Sequence, residues 1–138
     1  MALSILVIED SASVRRLIEV SVRPLGATVF SAEDGYRGLE ACDKERPDII
    51  LLDIGLPGID GWEVLRILRA NPIRADVPVL IVTAHAQPEV AAAAEQRGAD
   101  GFMTKPFRPA DLREEIVGVL ARTRGRVRRD NVGAAVNQ

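Results

Sequence analysis

Ile49-Ile50-Leu51-Leu52-Asp53-Ile54-Gly55-Leu56-Pro57-Gly58-Ile59-Asp60-Gly61 is the stretch whose reading decides the fold. Four branched or leucine side chains in a row show no polar side to water. They read as a strand buried on both faces, the kind a parallel sheet covered by helices requires. The run stops at a carboxylate, and Pro57, Gly58 and the pair Asp60-Gly61 then supply turn chemistry. Asp53 therefore sits where a buried strand runs out.

Outward from that stretch the pattern repeats. Leu3-Ser4-Ile5-Leu6-Val7-Ile8 and Val77-Pro78-Val79-Leu80-Ile81-Val82 read as further buried strands. Thr28-Val29-Phe30-Ser31 and Gly101-Phe102-Met103 are weaker and suit the edges. Five segments of helical period lie between and after them. The first carries Val14, Leu17, Ile18, Ser21 and Val22 behind the capping candidates Ser11 and Ser13, and Pro24-Leu25-Gly26 ends it. The second, with Leu39, Ala41 and Cys42, stops at Arg46-Pro47, because proline disfavours helix at the preceding residue. The third holds Trp62, Val64, Leu65 and Leu68 and ends at Asn71-Pro72; the alanine-rich fourth runs from Pro88 to Arg97 and closes at Gly98. The fifth carries Leu112, Ile116, Val119 and Leu120, with Pro109 suited to its first turn. Strand and helix in alternation mean an α/β domain, a parallel sheet and right-handed crossovers. One domain is expected over residues 1–123. Residues 124–138 form a basic tail without apolar period, expected to be disordered.

Charge is distributed unevenly. The chain carries −2 in total, but five arginines against Asp130 give residues 122 onward +4 and leave −6 on residues 1–121. An acidic body suits a metal ion and offers nothing to nucleic acid. Cys42 is the only cysteine, so no internal disulfide can form, and its place on an amphipathic helix reads as a small buried thiol. No run reaches membrane-spanning length and no secretion signal is evident, so the expected location is cytoplasmic.

The polar residues that end the strands carry the chemistry. Glu9 and Asp10 follow the first, Asp53 the third, Thr83 the fourth and Lys105-Pro106 the last. In an open parallel sheet these carboxyl ends converge on one crevice. Taken singly each has a plain reading: a helix cap for Asp10, a strand residue for Thr83, a solvated lysine for Lys105, core packing for Phe102. Together, clustered carboxylates repel one another unless a cation shares the site, and Mg²⁺ prefers such oxygen ligands and bridges to phosphate. Asp53 is then the candidate nucleophile toward phosphorus, with Lys105 and Thr83 stabilising charge on the transferring group. No glycine-rich anion cradle follows the first strand, which argues against nucleotide binding.

Glu9-Asp10, the segment from Asp53 to Gly61, Thr83-Ala84 and Phe102-Met103-Thr104-Lys105-Pro106-Phe107, in that order, resemble the receiver domain of two-component response regulators over residues 3–121. The resemblance implies a flavodoxin-like, doubly wound sheet of five parallel strands in the order 2-1-3-4-5 with five helices. It implies that Asp53 accepts phosphate from the phosphohistidine of a sensor histidine kinase. It places Mg²⁺ among Glu9, Asp10, Asp53 and the backbone carbonyl of Gly55, with Glu9 acting through water. Thr83 and Phe102 become the switch pair, Ala84 and His85 neighbours of the phosphoryl group, and Lys105-Pro106 a cis peptide. Phe102 stands where many relatives have tyrosine. Gly55 leaves room for attacking water, whereas His85 is placed to obstruct or orient it.

The expected function is a stand-alone phosphorylation switch, a phosphoprotein that catalyses only its own phosphoryl transfer and dephosphorylation. Its output is altered binding to a protein target through the fourth helix, last strand and fifth helix, with phosphorylation-dependent homodimerisation as one form. The alternative is a phosphorelay intermediate that passes phosphate to a histidine phosphotransfer protein. A phosphohydrolase with an aspartyl-phosphate intermediate would want a second aspartate two residues after the nucleophile, where this chain has Gly55. A constitutive binding module would not need the acids, hydroxyl and lysine that are all kept here. The basic tail is also compatible with the start of a linker in a longer regulator.

Overall fold

The computed structural model describes residues 2–136, and side chains as far as Arg126. Its strands are β1 (Ser4–Ile8), β2 (Thr28–Ala32), β3 (Ile49–Leu52), β4 (Val79–Thr83) and β5 (Gly101–Thr104). The helices are α1 (Ala12–Val22), α2 (Gly35–Glu45), α3 (Gly61–Ala70), α4 (Pro88–Gln96) and α5 (Pro109–Val136), with a 3-10 turn at Arg23–Leu25. All strands are parallel and lie in the order β2-β1-β3-β4-β5. This is the expected flavodoxin-like, doubly wound sheet.

The unbroken apolar runs hide a period of two. Ile5, Val7, Ile49, Leu51, Leu80 and Val82 face one side, where α1 and α5 bring Ile18, Val22, Leu112, Ile116 and Val119 against them. Leu6, Ile8, Ile50, Leu52, Val79 and Ile81 face the other and meet Val64, Leu65 and Leu68 of α3 and Ala94 of α4. Both faces of the central strands are therefore dry, which is why no polar residue interrupts them. Cys42 is buried among the second group, as expected, and burial pushes its thiol up to about 11.

Local chemistry sets the helix ends. Ser11 caps α1 by accepting from Val14 N–H at 3.3 Å, Asp34 caps α2 from Arg37 N–H at 2.8 Å, and Asp60 caps α3 from Glu63 N–H at 3.0 Å. Arg46 ends α2 in the left-handed region at φ 47°, ahead of Pro47. Gly61 opens α3 where no side chain fits: a Cβ there would stand 2.3 Å from the carbonyl oxygen of Asp53. The loop after β3 is thus folded tightly against the start of α3.

The sequence has no apolar period after residue 124, yet α5 continues to Val136. Among the described side chains, an ion pair anchors the helix at residue 126. Arg126 donates to both carboxylate oxygens of Asp100, at 2.9 and 3.0 Å, and to the carbonyl of Asp76 at 3.2 Å. Asp100 also accepts from Arg69 at 3.0 Å and from Val79 N–H at 3.0 Å, so three elements meet on one carboxylate. The side chains of Arg128 and Arg129, also counted in the basic tail, lie outside the described residues.

Candidate functional site

The carboxyl ends of β1, β3, β4 and β5 bring Glu9, Asp53, Thr83 and Lys105 to one edge of the sheet. Carboxylate oxygens of Glu9, Asp10 and Asp53 lie within 4.8 Å of one another. Glu9 and Asp53 are buried, at 3% and 7% exposure, while Asp10 is open to solvent. Lys105 reaches across from beyond β5 and donates to Glu9 Oε1 at 2.7 Å and to Asp53 Oδ2 at 3.2 Å. One lysine thus bridges two buried acids that are 96 and 52 residues away in sequence. The Lys105-Pro106 peptide is cis.

A shared device orients the three strand-end acceptors. Glu9 Oε2 takes the N–H of Ser11 at 3.0 Å, Asp53 Oδ1 that of Gly55 at 3.1 Å, and Thr83 Oγ1 that of His85 at 3.3 Å. Each side chain folds back onto the amide two residues later, a local bond that fixes its rotamer. Sequence reading named all three acceptors and missed this bracing, although its signal, a polar residue two positions before a loop amide, was in view. It also missed Arg15, whose guanidinium donates to the Glu9 carbonyl at 2.8 Å and ties α1 to the site.

Burial raises the pKa of Glu9 above the ordinary carboxylate value; the bonds from Lys105 and Ser11 pull it back, and the charge of Asp53 pushes it up again. For Lys105, burial acts to lower the pKa. The bond to Glu9 and the charges of Asp53 and Glu9 outweigh it, so the ammonium is held above its usual range. The lysine stays charged and the acids share its proton donors, a balance that places positive charge beside Asp53.

His85 stands over Gly55. A methyl group on Gly55 would lie 3.5 Å from His85 Nε2 and 3.9 Å from Asp53 Oδ1. The space that glycine vacates beside the carboxylate is thus bordered by the imidazole. Ala84 and His85 are both exposed at this rim. Phe102 lies opposite Ile81 in the β4–β5 ladder and packs half-buried against the core on the α3 side.

Residues 5–117 match the response regulator receiver domain family, and the chain belongs to it. A probable transcriptional regulator, ycf27, of Porphyridium aerugineum is 37% identical over 118 residues, covering 86% of this chain and 48% of that protein. The phosphate regulon transcriptional regulatory protein PhoB of Pseudomonas aeruginosa is 33% identical over 120 residues, covering 87% and 52%. The chain spans about half the length of these curated relatives. Among solved structures, a putative response regulator of Chloroflexus aurantiacus superposes with a TM-score of 0.83 at 30% identity, over 88% of this chain and 99% of that one. No helix among the described residues is long and apolar enough to cross a membrane.

Proposed function

We propose that this receiver is a phosphorylation switch in which Asp53 takes a phosphoryl group from the phosphohistidine of a sensor histidine kinase. The observation that carries the reading is Asp53 itself: a buried carboxylate with one oxygen held by the Gly55 amide and the other 3.2 Å from Lys105 Nζ. An Asp53 oxygen attacks phosphorus, the bond from phosphorus to the imidazole nitrogen breaks, and the kinase histidine, already protonated on its other ring nitrogen, leaves as neutral imidazole with the electron pair of the broken bond. Lys105, already charged, stabilises negative charge on the phosphoryl oxygens, and the Thr83 hydroxyl is placed to donate to one of them.

The donor set fits a hard divalent cation: three carboxylates converge within 4.8 Å, and among the described residues no softer ligand joins that cluster. Glu9, Asp10, Asp53 and the Gly55 carbonyl would hold Mg²⁺, which when bound neutralises charge between nucleophile and phosphoryl group. The protein needs no other cofactor for this chemistry. It is a signalling protein whose only turnover is its own phosphorylation on Asp53 and the hydrolysis of the resulting mixed anhydride by water. The switch is the pair Thr83 and Phe102, the hydroxyl moving to the phosphoryl group and the ring turning in behind it. The output is altered affinity for a protein target, and the compartment is the cytoplasm.

Acetyl phosphate with Mg²⁺, followed by intact mass measurement, tests the reading. One phosphoryl adduct is expected on the wild-type chain and none on Asp53→Ala. An adduct that survives that substitution would overturn it. Label that then passes from Asp53 to a histidine phosphotransfer protein would make the chain a relay rather than a terminal switch.

A further inference from the structure

Asp10 differs from the other two acids of the site. Glu9 and Asp53 have their side-chain oxygens held by loop amides and by Lys105. The Asp10 carboxylate is exposed and carries no hydrogen bond or ion pair among the described residues. Its neighbours in the chain are fixed instead, and one residue fixes them from both sides. The half-buried Arg15 donates from its guanidinium to the Glu9 carbonyl at 2.8 Å and from its amide to the Ser11 carbonyl at 3.0 Å. Asp10 thus lies between the two carbonyls that Arg15 grips. The amide bond belongs to the first turn of α1 and survives any change of side chain; the guanidinium bond does not.

We propose that Arg15 is a positioning residue that aims Asp10 at the divalent cation through the backbone. Its hold on the Glu9 carbonyl does for Asp10 what the loop amides do for the side chains of Glu9 and Asp53. This role rests on the metal reading given above. An exposed carboxylate on a fixed peptide needs only to turn about its own side chain to meet the ion. A loose Glu9-Asp10 peptide would have to be ordered at the moment of binding, and that cost is subtracted from affinity. The charge of the guanidinium acts the other way, because a cation near the site repels the incoming ion. Positioning and charge therefore predict opposite signs for one substitution: loss of Arg15 weakens metal binding if the bond matters and strengthens it if only the charge does.

Mn²⁺ is the probe, read as the free ion by electron paramagnetic resonance on the full chain and displaced with Mg²⁺, at a temperature where every variant is folded. Arg15→Met keeps an apolar stem and removes donor and charge. Its affinity for both ions should fall about tenfold, the low end of what groups that orient metal ligands contribute. Arg16→Met removes the same charge one residue along, from an exposed side chain without a partner among the described residues, and should leave affinity unchanged or slightly tighter. Arg15→Lys keeps a donor for the single bond and should retain most of the affinity. Thermal melts in EDTA record the fold separately: a lower Tm with unchanged affinity would make the bond purely structural and overturn the proposal. Tighter ion binding by Arg15→Met, or a loss that Arg16→Met shares in full, would overturn it as well. Wild type that binds no Mn²⁺ would refute the metal reading and the role of Arg15 with it, whereas equal binding by wild type and Arg15→Met refutes the role and leaves the metal site standing.

Discussion

Replacing Lys105 by methionine keeps the length and apolar stem of the side chain and removes its charge. Among the described residues the ammonium is the one cation hydrogen-bonded to both Glu9 and Asp53, whose side chains are 3% and 8% exposed. Removing one partner of a buried ion pair costs about 3–5 kcal/mol, mostly the penalty of the charge left behind. In a domain of this size each kcal/mol lowers Tm by roughly 3–5 °C, so the variant should melt about 10–20 °C below wild type without divalent ions. Mg²⁺ at about a hundred times its Kd returns about 2.7 kcal/mol to any chain that binds it only when folded, and it should narrow the gap. Differential scanning calorimetry on wild type, Lys105→Met, Glu9→Gln and the double variant closes a thermodynamic cycle. If uncompensated carboxylate charge is the cause, Glu9→Gln in the Lys105→Met background should recover much of the loss. A double variant as unstable as the two single losses added together would refute the electrostatic reasoning and leave packing of the lysine stem as the cause.

Four further outcomes are expected. Gly61→Ala must push a methyl against the Asp53 carbonyl at 2.3 Å and should cost about 3 kcal/mol, whereas Gly58→Ala, with φ 75° and open space, should cost about 1–2 kcal/mol; urea melts separate them. His85→Ala opens the space beside Gly55 and should speed loss of the Asp53 phosphoryl group severalfold; an unchanged or slower decay by intact mass would reject the imidazole as a barrier to water. Arg126→Ala should accelerate amide exchange from about residue 122 onward while β4 and β5 stay protected; global loosening would contradict a local anchor. The Cys42 thiol is held protonated by burial, from an ordinary 9.0 up to about 11. Its contribution to stability is therefore complete below pH 9 and is lost as pH climbs toward 11, so the stability difference between wild type and Cys42→Ala should shrink over that window and stay constant below it.

What was readable in the sequence followed the strength of each local signal. Ile49 to Leu52 could be placed without a partner because four apolar residues ending in an acid admit few other readings, and the strand has those bounds. Glu9, Asp53, Thr83 and Lys105 were legible by position alone, since parallel strands deliver their last residues to one edge. The strand order came with the family resemblance; nothing in the period of β1 or β3 says which is central. Contacts that close over long separations left no local trace. The reach of Lys105 to Glu9 requires β5 and β1 to be separated by two strands in a twisted sheet, and only the folded chain supplies that geometry. The extension of α5 to Val136 is a different case. A segment without apolar period reads as a disordered tail, because period registers only hydrophobic burial. Asp100, itself 10% exposed on its side chain, provides a fixed acceptor at the base of the sheet, and Arg126 on α5 reaches it. Arginines that read as a solvated tail in one dimension thus become, in part, structural donors in three, and the same residues that made the tail basic tie the helix to the domain.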